Sequence, residues 1–398
     1  MTAITTDLFI TKGEAKPMIR IEQDGLGARV LPSHAYYGIR TLRASEKLPH
    51  HGGMPVHDEL IGAIACVKKA AALAHAESGK LPVQMGKALI RASEEVIEGK
   101  HRREIIVDWL QDISGESLNM NLNEIIANRA LELILEDKGN YSVIDPVRHV
   151  NMGQTTSGVV AAALRIASHR LSQALIVSID QMVHRLMVKK AEIDARLGPE
   201  RLHWQPGTPA WIGRQMEEYA QQLRLDLERI AAADFRLTSG INAVRIGSDD
   251  ELIGPKILFH LRQFAQLGAQ LPAEVERSET NTEGFARLSS AVKHCGLNLS
   301  NLCGDLRLAF SLQPPGQHLE LFGSAEAAAG ESLSQVAFQA IGFDHSLGLA
   351  AEAGMLDRDA IPPVLAYNLL ESLKLMGKGV NAWVAAAQHS PEKRAAGQ

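Results

Sequence analysis

Residues 159–195, VVAAALRIASHRLSQALIVSIDQMVHRLMVKKAEIDA, decide the fold. They hold neither proline nor glycine; the nearest before them are Pro146 and Gly158. Leu164, Ile166, Leu171, Leu175, Ile176, Ile179, Met182, Val183 and Leu186 form a broad apolar stripe at helical spacing. A run of more than about 35 residues without a cap predicts a bundle helix rather than an ordinary globular one. Residues 209–236 and 283–311 read as two more long helices. Upstream, His57–Ser78 sets Leu60, Ile61, Ile64, Val67 and Ala71 at helical offsets, and Lys87–Glu98 repeats the pattern. Long helices joined by long connections predict a mainly α protein built as a large helix bundle.

Composition agrees. Of 398 residues, 45% are hydrophobic, 22% charged and only 5% aromatic, an ordinary globular balance that leans helical. The length suits two or three domains. A net charge of −5 argues against duplex nucleic acid as a partner. Cys66, Cys295 and Cys303 are too few for a disulfide framework, and the last two are eight apart, which is not metal spacing. Buried free thiols in a reducing cytoplasm are expected. The N-terminus, MTAITTDLFITKGEAKP, lacks a basic start followed by an apolar run, so no signal peptide is expected. No window of about 18 apolar residues exists to cross a membrane. Residues 1–18 read as a mobile arm, and 19–50 as irregular chain with at most short strands.

Four segments are dense in polar groups. In Ser114-Gly115-Glu116-Ser117-Leu118-Asn119-Met120-Asn121-Leu122-Asn123-Glu124, three asparagines alternate into an apparent helix start, either as an elaborate cap or as a site. In His149-Val150-Asn151-Met152-Gly153-Gln154-Thr155-Thr156-Ser157, three hydroxyls head the longest helix, where they either cap it or meet an anion. Leu202-His203-Trp204-Gln205-Pro206-Gly207 holds a lone histidine. Leu321-Phe322-Gly323-Ser324-Ala325-Glu326, followed by Gly330-Glu331, reads as a flexible loop feeding a helix.

These segments resemble the aspartase/fumarase superfamily, whose members eliminate across a C–N or C–O bond to leave a fumarate-like product. IVDWLQDISGESLNMNLNEIIANRALEL resembles its first signature and DPVRHVNMGQTTSGVVAAALRIA its second. RIEQDGLGARVLPSHAYYGIRTLRASEKLP resembles its N-terminal stretch, and GFDHSLGLAAEAGMLDRDAIPPVLAYNLLESLKLM the segment after its third signature. The match runs in order over residues 19–378. It implies a homotetramer with a central core of long helices and sites assembled from three subunits. It also implies an N-terminal domain over 1–146, a central bundle over 147–375 and a truncated C-terminal domain over 376–398.

The resemblance assigns His203 to the position of the family histidine and Glu331 to the carboxylate that orients it. Ser324 falls at the catalytic serine, which needs converging donors to act as base; His203 is the alternative base. Ser114, Glu116, Asn119, Asn151, Thr155, Thr156 and Ser157 fall at substrate-binding positions. Four features depart from the family. Glu116 and Leu202 each stand where it has threonine, Ser157-Gly158 replaces Asn-Asp, and GSAEAAAGE (323–331) lacks the family's Lys-x-Asn carboxylate clamp. Each change removes a donor or adds negative charge where a carboxylate would bind.

Three expectations follow. The first is a divergent lyase acting on a non-standard amino or carboxylic acid. The second is a catalytically inactive scaffold or ligand sensor. The third is an enzyme reusing the pocket for isomerisation, decarboxylation or cyclisation. No metal or organic cofactor is implied, and the expected partners are a small-molecule substrate and further copies of the chain.

Overall fold

The computed structural model describes residues 18–47, 55–110, 112, 114–197, 209–243, 246, 253–267, 281–311, 324–353 and 360–388. It opens with an antiparallel hairpin, β1 (Ile19–Asp24) and β2 (Gly27–Pro32), in register from Ile19 opposite Pro32 to Asp24 opposite Gly27. The stretch read as irregular therefore holds two short strands and a first helix, α1 (Ile39–Lys47).

Three helices follow: α2 (Asp58–Glu77), α3 (Val83–Ile97) and α4 (Glu116–Leu133). Most faces of α2 are buried, because α3, α5 (Thr156–Leu197) and α7 (Ile253–Ala265) pack around it. At 42 residues α5 spans about 63 Å. It lies against α6 (Pro209–Ser239) and α10 (Pro363–Gln388); α8 (Asn281–Ser311) and α9 (Ser324–Glu352) complete the bundle. Leu164, Ile166, Leu175, Ile179, Met182 and Leu186 of the expected stripe are fully buried in it. The expected domain break after Leu375 falls inside α10, which continues unbroken to Gln388.

The first signature turns out to be largely structural wiring. The Glu124 carboxylate accepts from the backbone N–H groups of Gly38 (2.8 Å), Arg40 (3.0 Å) and Thr41 (3.1 Å) and from the Thr41 hydroxyl (2.5 Å). It thus serves the orphan donors at the start of α1. Burial pushes this carboxyl up, and the four donors act against that. A side chain at Gly38 would collide with Tyr141 and lie 2.6 Å from Glu124 Cδ, so only glycine fits. Asn128 donates to the Tyr36 carbonyl at 2.8 Å and accepts from Gly139 N at 2.7 Å. Asn121 accepts from Ile106 N at 3.1 Å and donates to Glu104 O at 3.0 Å.

Two sequence expectations about local structure are corrected. The asparagines do not cap α4; they lie inside it, buried. Its cap is Asp112, which accepts from Glu116 N (2.6 Å), Ser117 N (2.9 Å) and the Ser117 and Ser114 hydroxyls (2.5 and 2.9 Å). Burial alone would raise the Asp112 carboxyl, but these donors outweigh it and hold it below its usual range. Residues 324–331, read as a loop, are the first two turns of α9. Cys66, Cys295 and Cys303 are free and buried, as expected.

Candidate active site

The two signatures meet where α4 passes the start of α5. Asn119 Nδ2 donates to Thr156 Oγ1 and to Asn151 Oδ1, each at 3.2 Å. Asn123 Nδ2 reaches the same Asn151 oxygen at 3.4 Å, and Asn151 in turn donates to Gln154 O at 3.0 Å. Thr155 Oγ1 accepts from Gly158 N at 3.2 Å and so caps α5, while Thr156 turns to Asn119. Ser114 is committed to Asp112. Ser157 is half-buried, and Glu116 is exposed on the first turn of α4. Glu116 and Asn119, three residues apart, share one face of that helix.

Beneath this cluster lies a residue that the sequence reading did not single out. Lys68, 1% exposed, projects from α2 and donates to Asn151 Oδ1 at 2.6 Å. Burial pushes its amine well below the usual lysine range. The signal was present in the periodicity: Lys68 lies four and seven residues after Ile64 and Ile61, on the core-facing stripe. Three buried acceptors nearby in the sequence, Asn119 Oδ1, Asn123 Oδ1 and Gln154 Oε1, have no hydrogen-bond partner. Such groups cost about 1–3 kcal/mol each unless a ligand or water serves them. Over the buried amine, the arrangement leaves the Thr156 hydroxyl and spare amide acceptors for a polar ligand.

The remaining predicted residues lie elsewhere. His203 falls outside the described residues. Ser324 and Glu331 are exposed, seven residues apart and therefore on one face of α9. Glu326, between them, is 3% exposed and pairs with Lys189 Nζ at 3.2 Å. Lys189 lies 33 residues along α5 from Thr156, a separation of about 50 Å. Within one chain the Asn119–Thr156 cluster and the Ser324–Glu331 face therefore occupy opposite ends of the bundle. Among the described residues no group of three or more His, Cys, Asp or Glu side chains is placed to hold a metal ion.

Comparison with known proteins agrees with this architecture. A family model described as Lyase matches residues 28–332. An aspartate ammonia-lyase from Bacillus sp is 38% identical over 375 residues, covering 90% of this chain and 80% of its own length. That of Bacillus subtilis (strain 168) is 35% identical, covering 92% and 80%. Among solved structures, a fumarate lyase:delta crystallin from Brucella melitensis in native form aligns with TM-score 0.78 at 29% identity, over 92% of this chain and 87% of that one. A class II fumarase from Schistosoma mansoni shares the fold at TM-score 0.78 and 21% identity, covering 92% and 83%. By signature, fold and sequence identity together, the chain belongs to the aspartase/fumarase superfamily of lyases.

Proposed function

We propose that the chain catalyses β-elimination across a C–N or C–O bond, or the reverse addition, on an amino or carboxylic acid other than plain aspartate or malate. The observation that carries this reading is the Asn119–Thr156 hydrogen bond, which joins both signatures over a buried amine. Elimination next to a carboxylate builds negative charge on that group, and preorganised donors stabilise it. The Thr156 hydroxyl, whose oxygen accepts from Asn119 and which keeps its own proton to donate, supplies such a donor, and the base, Ser324 or His203, would come from another copy in a homotetramer. Exposed apolar side chains along the bundle, including Val177 (57%), Phe235 (51%) and Phe338 (56%), suit self-association. Free, buried cysteines fit a reducing cytoplasm. No helix of the described residues is long and apolar enough to cross a membrane.

Glu116 sets the substrate. Its charge stands on the helix face that carries Asn119 and repels a second carboxylate. A panel of amino acids and unsaturated acids, aspartate included, read by mass spectrometry, tests the reading. Aspartate is expected to turn over poorly, and Glu116→Thr to raise its kcat/KM by about tenfold or more. Aspartate emerging as the best wild-type substrate would overturn the restriction. A scaffold or sensor is the second reading, favoured by Ser324 standing in a helix rather than a loop. A chain that assembles yet turns over nothing in the panel would select it.

A further inference from the structure

The β1–β2 hairpin is turned inside out. Ile19 lies opposite Pro32, Ile21 opposite Val30 and Gln23 opposite Ala28, so these side chains share one face of the two-stranded sheet. That face is open: Ile21 is 70% exposed, Val30 56% and Ile19 53%. The charged residues point inward instead. Arg20 donates to Glu22 at 2.8 Å and to the carbonyls of Ala35 (2.6 Å) and Tyr37 (2.7 Å). Buried Glu22 accepts from Ile39 N at 2.8 Å, and Arg43 grips Asp24 through two bonds of 2.9 Å. Shifting the register by one residue would bury the isoleucines, but it would also tear out these ion pairs. The hairpin is therefore held to α1 by its polar face, and its apolar face is left outward.

Single apolar side chains on a surface are ordinary, but three β-branched ones side by side on a small sheet form a surface that another segment covers. The chain carries such a segment next to it. Residues 1–17 lie outside the described residues and join β1 through Met18. Their one run of large apolar side chains is Leu8-Phe9-Ile10, which holds no charge. The eight residues from Ile10 to Met18 reach at most roughly 27 Å. The six-residue strands are about 20 Å long, so the run can return over the whole face. Gly13 and Pro17 suit the turn that this needs. Residues 48–54, LPHHGGM, also lie outside the described residues; they are tied at both ends, between α1 and α2, and bring no such run.

We propose that Leu8-Phe9-Ile10 fold back over Ile19, Ile21 and Val30 of the same chain and close the outer face of the hairpin. The inference stands apart from the lyase reading and needs no substrate. Limited trypsin digestion of the full chain tests it. Lys12 is the first basic residue of the sequence, and Lys16 precedes proline, a bond that trypsin spares. A clip after Lys12 thus reports the arm, and its rate follows the undocked population. The double variant Leu8→Ser, Ile10→Ser and, separately, Ile21→Asp are each expected to speed this clip by about tenfold or more. Val83→Asp, at an exposed apolar position on α3, is expected to leave it unchanged.

Clips at Arg20 or Arg29 mark a variant whose hairpin has opened; Val30→Glu then replaces Ile21→Asp. Wild-type chain clipped at Lys12 as fast as the double variant overturns the proposal. So does an intact hairpin variant clipped no faster than the wild type. A crystal structure gives the position directly. Residues 8–10 seated over Ile21 support the inference, whereas residues 48–54 or a second copy of the chain seated there overturn it.

Discussion

Lys68 carries the sharpest question at the scale of single residues. Among the described residues its hydrogen-bond partner is Asn151 alone, and no carboxylate pairs with its nitrogen. A fully buried ammonium without a counter-charge is costly, so the folded amine sheds its proton far more readily than the usual lysine does. The unfolded chain keeps that proton up to the ordinary lysine range near 10.5. Below that pH the unfolded state therefore binds more protons, and this position weakens the fold at neutral pH. The penalty fades as pH rises towards 10.5. Lys68→Met is accordingly expected to stabilise the chain at pH 7 by about 1–4 kcal/mol. The gain over wild type should shrink by pH 10, as read from urea midpoints across pH. The same variant is expected to lose turnover, because the amine holds Asn151 beneath Asn119. A variant less stable than wild type at pH 7 would show that the folded site keeps Lys68 charged.

Helix-to-helix contacts explain how the N-terminal part holds the signature in place. Arg129 of α4 grips Glu95 of α3 in a bidentate pair at 2.7 and 3.1 Å. Arg129 also binds Glu132, which accepts from the Tyr36 hydroxyl at 2.7 Å. The Arg129 hydrogen bonds hold the Glu95 carboxyl down to about 2. A carboxyl lowered on folding contributes stability above its unfolded value, and that contribution is lost as pH falls through the folded one. Glu95→Gln should thus be less stable than wild type at pH 7, with the difference closing between about pH 4.5 and 2. A gap that persists at pH 2 would show that packing, not charge, sets it. Legibility in the sequence also varied by element. The long helices were legible because their apolar period is sustained: 209–236 became Pro209–Ser239, and 283–311 became Asn281–Ser311. The start of α9 was not, because Gly323, Gly330 and the small residues between them read as a flexible loop, although SAEAAAGE is rich in the strongest helix formers. The asparagines of α4 misled as caps, since each spends its amide on a partner outside the helix. Lys68 was hidden beside Lys69, which composition cannot tell from it.

Across the whole molecule the decisive length is the stretch of α5 from Thr156 to Lys189. The Lys189–Glu326 pair anchors the start of α9 at the far end, about 50 Å from the Asn119–Thr156 cluster. No side-chain motion spans that length, and a straight helix packed between α6 and α10 does not fold back on itself. Ser324 and Glu331 stand exposed on one face of α9, turned away from their own chain. If they act with Thr156, the site must take them from an antiparallel neighbour. Hybrid assembly tests this without knowledge of the base. Thr156→Ala and Ser324→Ala chains are each expected to be inactive. Unfolded together and refolded as a mixture, they should regain activity, because random assortment of two chains per site leaves about one site in four with both groups intact. The measurement is specific activity of the mixture against each variant refolded alone, with the favoured substrate of the panel. Activity in Ser324→Ala alone would remove that serine from the chemistry. Two inactive variants whose mixture stays inactive, despite confirmed co-assembly, would show that sites are not shared between copies in this way.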